Sequence, residues 1–386
     1  MNTDSHNTQV KKTSPRSEQS IKKILAGWRV KRPTYTLPSN LYVYICVLIS
    51  TLIVAVILTS VLFICAHDEY FDFHFPSRPS VQENGGGVAN SDGDRPFADG
   101  ASGNVLLPWA ENVKIIPEKS IYASYAALAD LATGELIASR KADEVIYPAS
   151  MTKLMTLIVV VENLPTQESL QDTITVSQEI YDEMKRQGSS GIGMEAGEKM
   201  TVESMLYALM LKSDGIAACE LAKYVAGSVE DFVELMNQKA EKMGLTNTHF
   251  ENPTGLFHEN HKTTSREIAS IMTYAMNMDL CRKILKTQSY TAPFTTPTGE
   301  SKNYYLYHNL IVTQFEDREK KGLSNQPNSV TIAAGKTGFT NESQFCLVTY
   351  AEAADGHGYV CVTAKSGGYS ECISDYLTIY NTYIKP

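Results

Sequence analysis

Ser150 and Lys153 lie three residues apart at the start of a strongly apolar stretch, SMTKLMTLIVVVENL, over residues 150–164. If this stretch is a helix, the spacing places the two side chains next to each other on one face. A serine hydroxyl becomes a nucleophile when a base takes its proton, and a buried lysine with a lowered pKa can be that base. The pair therefore indicates nucleophilic catalysis, although the spacing alone also fits a capping serine beside a surface lysine.

A second motif, Lys336-Thr337-Gly338, lies in a stretch with the pattern of a strand. Gly335 and Gly338 bracket its centre and would let the backbone of a ligand lie close. Lys336 would supply positive charge for a carboxylate, and Thr337 a hydroxyl donor. Taken alone, the motif equally fits an edge strand that carries a lysine against aggregation.

A third motif, Ser213-Asp214-Gly215, follows an apolar helical pattern. Ser213 could relay a proton, and it could equally be a cap or turn residue. Together, SxxK, a serine triplet and KTG occur here in the order that is typical of the penicillin-recognising serine enzymes. The order carries more weight than any one motif.

The elements that must position these motifs follow from periodicity. A β-hairpin is predicted at residues 122–130 and 135–140, and a buried helix at 150–164. Further helical patterns cover residues 201–227, 229–243, a stretch past residue 266, and 371–383, and strands are predicted at 331–340, 344–350 and 359–364. We expect one α+β domain over residues 112–386, with an antiparallel sheet flanked by helices and a helical subregion.

Residues 41–66 form an uncharged apolar run, which as a helix of ~1.5 Å per residue exceeds the ~30 Å core of a bilayer. Residues 1–40 carry eight Lys/Arg against two acidic residues. By the positive-inside rule we predict a basic cytoplasmic tail, a single-pass anchor at 41–66 in the lipid bilayer of the cell membrane, and an extracytoplasmic remainder. The alternative is a cleaved signal peptide, whose apolar region is usually shorter.

Residues 67–111 are rich in Gly, Asp and Ser without periodicity and predict a flexible extracytoplasmic linker. Residues 1–40 have a net charge of +6 and the whole chain has −9, so the chain beyond residue 40 carries about −15. Nucleic acid is therefore not expected as a partner. His258 and His261 lie in a turn-rich loop without an HExxH helix, so a loop role is favoured over a metal hydrolase site.

Five of the seven cysteines follow the apolar run, with no close spacing of the kind found in disulfide frameworks or zinc sites. We expect them to be buried thiols. A disulfide between Cys346 and Cys361 remains an alternative, because these two residues could face each other across a hairpin.

Beyond the motifs, residues 120–386 resemble the D-alanyl-D-alanine carboxypeptidase family of low-molecular-weight penicillin-binding proteins. The stretches that carry the resemblance are LADLATGELIASRKADEVIYPASMTKLMT, EAGEKMTVESMLYALMLKS, FVELMNQKAEKMGLTNTHFENPTGL and AAGKTGFTNESQFCLV. The resemblance implies a penicillin-binding-protein/β-lactamase-like fold and removal of the terminal D-alanine from peptidoglycan stem peptides. It also implies covalent inhibition by β-lactam antibiotics, and chemistry that needs no metal or cofactor.

By the same resemblance, Ser150 forms the acyl-enzyme and Lys153 is its base, while Ser213 passes a proton to the leaving D-alanine. Lys336 and Thr337 of the KTG motif, next to Gly338, would bind the terminal carboxylate. The backbone N–H groups of Ser150 and Phe339 would form the oxyanion hole.

The sequence departs from the family at Gly215, where the family's Ser-x-Asn triplet has an asparagine that is thought to bind the catalytic lysine and the substrate backbone. Losing one such donor would slow an enzyme by ~10- to 10³-fold. A weakened peptidase is therefore the main prediction, and a catalytically silent penicillin-binding sensor is the alternative. A β-lactamase is disfavoured because no dedicated glutamate motif for fast deacylation stands out. The family also often has a C-terminal β domain and an amphipathic C-terminal anchor, and the 41–66 span would replace the anchor.

Overall fold

The computed structural model describes residues 105–385. Its strands, in chain order, are β1 (Trp109–Ile115), β2 (Tyr125–Asp130), β3 (Glu135–Arg140), β4 (Val145–Ile146), β5 (Thr173–Thr175), β6 (Lys199–Thr201), β7 (Thr263–Thr264), β8 (Ser289–Thr295), β9 (Ser301–Tyr307), β10 (Thr331–Thr340), β11 (Gln344–Glu352) and β12 (Gly358–Ser366).

The α-helices, in the same order, are α1 (Lys153–Glu162), α2 (Gln178–Arg186), α3 (Val202–Leu211), α4 (Gly215–Ala226), α5 (Val229–Lys242), α6 (Ser265–Asn277), α7 (Asp279–Lys286), α8 (Phe315–Glu319) and α9 (Tyr369–Tyr383). Short 3₁₀ turns cover Ala149–Thr152 and Gln167–Gln171, and a π-helical turn covers Asn309–Gln314.

The largest sheet has six strands in the order β1-β3-β2-β12-β11-β10. The predicted hairpin is β2–β3, and the three strands predicted near the C-terminus are β10, β11 and β12, each pair antiparallel. The expectation of a purely antiparallel sheet is wrong at one edge, because β1 pairs in parallel with β3. The chain returns by a crossover before β2, so no tight hairpin forces an antiparallel pairing there.

The central strands of this sheet are buried on both faces. Successive residues of a strand point to opposite sides, so each strand contributes to both cores. On β11, Cys346, Val348 and Tyr350 belong to the core that contains the buried faces of α1, α3 and α6. Leu347 and Ala351 point the other way, into the core formed with α9. The α+β class predicted from the sequence is confirmed.

A helical subregion with a second sheet lies on one side of the main sheet. Helix α1 is buried over nearly its whole length, as its all-round apolar sequence predicts. The second sheet has the antiparallel order β5-β6-β8-β9 and was not predicted. The single helical pattern over residues 201–227 is two helices, α3 and α4, because the chain breaks at Lys212–Asp214, with Ser213 at a φ of 57°.

The ordered structure includes residues just before the predicted domain boundary at residue 112. Strand β1 begins at Trp109, and the buried Leu107 donates its N–H to Ser270 Oγ at 3.1 Å. The predicted tail, the 41–66 span and the linker up to residue 104 lie outside the described residues. Within residues 105–385, no helix is both long and apolar enough to cross a bilayer.

The five cysteines of the described part of the chain are all buried free thiols. The suggested pairing of Cys346 with Cys361 is wrong. Cys361 lies opposite Thr349 in the ladder, and Cys346 lies opposite Gly338. The two thiols belong to different cores on opposite faces of the sheet, so no disulfide can join them without breaking the strand register.

Candidate active site

Ser150 lies in the 3₁₀ turn that leads into α1 and is partly exposed. The preceding Ala149 has a φ of 47°, a conformation that costs a non-glycine residue about 1–2 kcal/mol. Two glycines allow the packing that holds this turn. A Cβ at Gly255 would lie 1.9 Å from the carbonyl oxygen of Ala149, and a Cβ at Gly338 would lie 3.1 Å from the Ser150 nitrogen. Such local strain is a feature of functional sites.

Lys153 is the first residue of α1 and is 2% exposed. Its Nζ lies 3.2 Å from Ser150 Oγ and 2.5 Å from the carbonyl oxygen of Thr254. Burial lowers the pKa of Lys153 to about 8, against the smaller opposing effect of the Asp214 carboxylate. A lysine in this state is neutral often enough near neutral pH to accept the Ser150 proton.

The loop at residues 251–256 binds Lys153 through the Thr254 carbonyl. No site residue was predicted in this loop from the sequence. Asn252 Oδ1 accepts hydrogen bonds from the N–H groups of Thr254 and Gly255 at 3.1 and 2.8 Å, and its Nδ2 donates to the Leu256 carbonyl at 2.9 Å. These bonds fix the Thr254 carbonyl that binds Lys153. The signal in the sequence is the turn-forming Asn-Pro-Thr-Gly, in which Gly255 has a φ of +80°.

The other two motifs meet each other at Lys336 and Ser213. Lys336 on β10 donates from Nζ to Ser213 Oγ at 2.9 Å and to the carbonyl oxygen of Thr337 at 2.8 Å. Burial, with a further contribution from the charge of Lys153, lowers the pKa of Lys336 well below its usual value. Among residues 105–385 no carboxylate lies within hydrogen-bond distance of Lys336 Nζ, so a carboxylate of a ligand could be its first charged partner.

The remaining residues of the KTG strand differ in exposure. Thr337 is 8% exposed, whereas Phe339 is 47% exposed and packs its ring on Phe345, with centroids 4.5 Å apart. Gly338 lets β10 approach the nucleophile turn, since a Cβ there would also lie 3.1 Å from Ala149 Cβ. The backbone that follows Gly338 is thus held beside Ser150.

His258 and His261 have different surroundings in the structure. His261 is buried; its Nε2 lies 2.8 Å from Thr152 Oγ1, and its Nδ1 accepts from the Glu251 N–H at 3.3 Å. Burial lowers the pKa of His261 to about 3, so the ring is neutral. His258 Nδ1 lies 3.5 Å from Glu251 at the surface. Both His261 bonds support the loop and the helix start rather than a ligand.

A profile of the D-alanyl-D-alanine carboxypeptidase family matches residues 112–363, more than half of the chain. The chain belongs to this family. Among curated members, the carboxypeptidase DacF of Bacillus subtilis is 32% identical over 250 residues, which are 63% of this chain and 58% of DacF. The carboxypeptidase DacC of Escherichia coli is 37% identical over 153 residues, which are 39% of this chain and 38% of DacC. The match thus spans less than two thirds of either relative.

Solved structures agree with this membership of the D-alanyl-D-alanine carboxypeptidase family. The crystal structure of a Streptomyces DD-transpeptidase superposes with a TM-score of 0.60 at 27% identity, covering 69% of this chain and 98% of that one. A D-alanyl-D-alanine carboxypeptidase from Mycobacterium tuberculosis, 21% identical, shares the fold with a TM-score of 0.57, over 72% of this chain and 97% of the other. The penicillin-binding-protein-like fold, the family and a serine hydrolase at family level are confirmed.

Of the predicted site residues, the structure brings Ser150 and Lys153 together, and separately Ser213 and Lys336. Asp214, between Ser213 and Gly215, is fully buried and caps α4 by accepting from the Ala217 N–H at 2.9 Å. A Cβ at position 215 would lie 1.9 Å from Ser189 Oγ, so a side chain there would require the Ser189 side chain to move.

Proposed function

We propose that the chain is a serine-type D-Ala-D-Ala carboxypeptidase that removes the terminal D-alanine from peptidoglycan stem peptides through an acyl-enzyme on Ser150. The observation that carries the proposal is the buried Lys153 with its Nζ 3.2 Å from Ser150 Oγ and a pKa lowered to about 8. Membership of the family supplies the substrate class.

Acylation follows from this geometry. Neutral Lys153 takes the Ser150 proton as Oγ attacks the carbonyl carbon of the penultimate D-alanine. The C–N bond of the scissile peptide then breaks, and the leaving amine takes the proton that Lys153 received, passed on through Ser213, which Lys336 holds in place. Water attacks the resulting ester, and Ser150 regains its proton. In both steps side chains carry the protons.

Substrate binding would use the edge of the main sheet. Strand β10 is the last strand of that sheet, and an edge strand can accept an extended peptide by backbone hydrogen bonds. The cation of Lys336 and the hydroxyl of Thr337 would bind the terminal carboxylate at one end of this peptide. The N–H groups of Ser150 and Phe339 would bind the oxyanion. A β-lactam antibiotic, which also carries a carboxylate and a reactive carbonyl, would acylate Ser150 in the same way.

We infer that the catalytic domain lies outside the cell membrane, with residues 41–66 as its anchor and residues 1–40 in the cytoplasm. The uncharged run at 41–66 and the basic residues before it support this placement. A polymeric cell-wall substrate is reached from that side of the membrane.

The alternative is a penicillin-binding sensor that acylates but does not turn over. Gly215 supports it, since this position lacks the asparagine of the family triplet. Acylation by a penicillin needs Ser150 and Lys153 and keeps the released amine attached to the acyl group. Acylation by a peptide also needs proton transfer to the D-alanine that leaves, and turnover then needs hydrolysis of the ester, so the two functions differ in these two later requirements.

The test uses the full chain, purified in detergent, and its Ser150→Ala variant. We expect covalent labelling by a fluorescent penicillin and release of D-alanine from a peptide ending in D-Ala-D-Ala, with both signals lost in the variant. Labelling without release supports the sensor instead. If the full chain gives neither signal, the assignment of the site is wrong.

A further inference from the structure

The segment that contains the Lys153-binding loop is closed by a short neck. His249 and Lys262 form an antiparallel bridge, in which each N–H donates to the carbonyl of the other residue at 2.9 Å. His261, the residue before Lys262, is 2% exposed and lies at this neck. Its own N–H donates to the His258 carbonyl at 3.0 Å. The backbone of His261 is therefore held in place independently of its ring.

Both ring nitrogens of His261 form hydrogen bonds, and they reach two different parts of the site. Nδ1 accepts from the N–H of Glu251, at the start of the loop, at 3.3 Å. Because Nδ1 is the acceptor, the neutral ring carries its proton on Nε2. Nε2 then donates to Thr152 Oγ1 at 2.8 Å, in the 3₁₀ turn that leads into α1. The ring thus joins the loop to the turn of the nucleophile.

Three neighbouring side chains at the start of α1 bind this segment, and all three are buried. Lys153 Nζ donates to the Thr254 carbonyl at 2.5 Å, and Thr156 Oγ1 donates to the carbonyl one residue earlier at 2.7 Å. The third contact is the one between Thr152 and the ring of His261. Of these three contacts, only this last one joins two side chains. A substitution at position 261 therefore removes it without changing a backbone group.

The Thr254 carbonyl gives the lysine amine a direction. A neutral amine has two N–H groups and one lone pair, and the lone pair is what accepts the proton of Ser150. When one N–H of Lys153 donates to Thr254, the lone pair can point at Ser150 Oγ, which lies 3.2 Å away. If the loop moved, the amine would lose this fixed acceptor, and its lone pair would point at the hydroxyl for a smaller part of the time.

We propose that His261 is a positioning residue of the acylation step, which ties the loop to the nucleophile turn and so keeps the Thr254 carbonyl on the Lys153 amine. This inference rests on the proposed function, in which Lys153 is the base for Ser150. The role requires no change of charge on His261, since both of its contacts use the neutral ring. His261 acts through Lys153 and does not itself touch the substrate.

The test measures the rate constant of penicillin acylation of the full chain, by stopped-flow labelling between pH 6 and 9.5. Asparagine places its amide near the Nδ1 edge of the ring, so His261→Asn can keep the bond to Glu251 but not the one to Thr152. We expect His261→Asn to acylate about tenfold more slowly on the high-pH plateau, as for the loss of one hydrogen bond. His258→Asn is the matched control, because His258 lies at the surface of the same segment. It should stay within about twofold of the unmodified chain.

A purely structural role for His261 predicts a different result. A less stable fold would lower the amount of chain that penicillin labels, but it would leave the rate constant of the labelled chain and its pH midpoint unchanged. That outcome would overturn the proposal. A positioning role lowers the rate constant itself. It also raises the pH midpoint, because a loosened loop lets water reach Lys153 and brings the pKa of that amine back toward its usual value.

The groups that face Lys153 allow this shift of the midpoint to be assigned. Asp214 and Cys219 of α4 interact with its charge. Lys336 of β10 and His261 do so as well. Burial raises the pKa of Cys219 to about 12 and lowers that of His261 to about 3, so neither titrates between pH 6 and 9.5. Asparagine at position 261 therefore removes no charge in this range, and Asp214 and Lys336 are the same in every variant.

A double-mutant cycle with Thr152→Val tests the bond itself. Thr152→Val keeps the shape of the side chain and removes its hydroxyl. If His261 acts through this bond, Thr152→Val should slow acylation as much as His261→Asn does, and the double variant should be no slower than either. Additive losses, or equal rate constants of His261→Asn and His258→Asn, would overturn the proposal. If penicillin does not label the unmodified chain at all, the proposed function fails, and the positioning role fails with it.

Discussion

The Nζ of Lys153 lies 3.2 Å from the Oγ of Ser150, and burial lowers the pKa of that lysine to about 8. The lysine has no carboxylate partner within hydrogen-bond distance in the part of the chain that the structure describes. Its Nζ is bound instead by the Thr254 carbonyl and the nucleophile. Lys153 therefore loses its proton at a pH well below the usual range for a lysine, and the neutral amine can then act as a general base.

The rate of penicillin acylation should follow the neutral fraction of Lys153. Because the neutral form is the base, we expect the rate to rise about tenfold per pH unit below a pH of about 8 and to level off above it. Stopped-flow labelling between pH 6 and 9.5 measures this. Lys153→Arg, which keeps the charge but cannot act as a base, should acylate at least 10²-fold more slowly at every pH. A rate independent of pH from 6 to 9 would contradict the role of Lys153.

The same pKa has a consequence for stability. Since the folded chain holds Lys153 at about 8 and the unfolded chain near 10.5, the unfolded state binds more protons between these values. The penalty of burying the charge is present in full below pH 8 and vanishes above about 10.5. Relative to Lys153→Met, the unmodified chain should therefore gain about 3 kcal/mol of unfolding free energy from pH 7.5 to 10.5. Urea unfolding of both at four pH values measures the difference, and a constant difference would refute it.

The sequence predicted the local part of the site well. The spacing of Ser150 and Lys153 needs only a helix, and the apolar residues of α1 predict one. The meeting of Lys336 with Ser213, 123 residues apart, is not deducible from periodicity and came from the order of the motifs. Tertiary packing decides such contacts, and no local pattern encodes them.

Two kinds of feature escaped the sequence analysis for physical reasons. The Thr254 carbonyl that binds Lys153 is a backbone atom, and every residue has one, so no residue type marks it. The second sheet has two strands of only three residues, and β8 contains Pro293, which argues against a strand. The parallel pairing of β1 was missed because no strand was predicted at residues 109–115, of which the first three were assigned to the linker.

Gly255 should be indispensable for the shape of the nucleophile turn. Alanine there would place a Cβ 1.9 Å from the Ala149 carbonyl oxygen and 2.9 Å from the Ser150 nitrogen, at a φ of +80°. We expect Gly255→Ala to lower the rate of penicillin acylation at least 10²-fold and to reduce Tm by several degrees. Gly134→Ala is the matched control.

Gly134 has a similar φ of +70° but no atom within 4 Å of the added Cβ. Its substitution should cost only the conformational strain, about 1–2 kcal/mol, and leave acylation unchanged. The two variants together separate backbone strain from collision with the turn. Equal effects of both on acylation would mean that the contact with Ala149 does not matter.

The cysteines should resist thiol reagents in the folded chain. Burial raises the pKa of the Cys346 thiol to about 11 and that of the Cys219 thiol to about 12, and it also raises the pKa of Cys281, Cys361 and Cys372. Because the thiolate is the reactive form, we expect no alkylation of these five by iodoacetamide at pH 7.5. In urea without a reductant, peptide mapping should find all five alkylated. A Cys346–Cys361 linked peptide would show that the strands had shifted from the register described, since in that register the two thiols lie on opposite faces of the sheet.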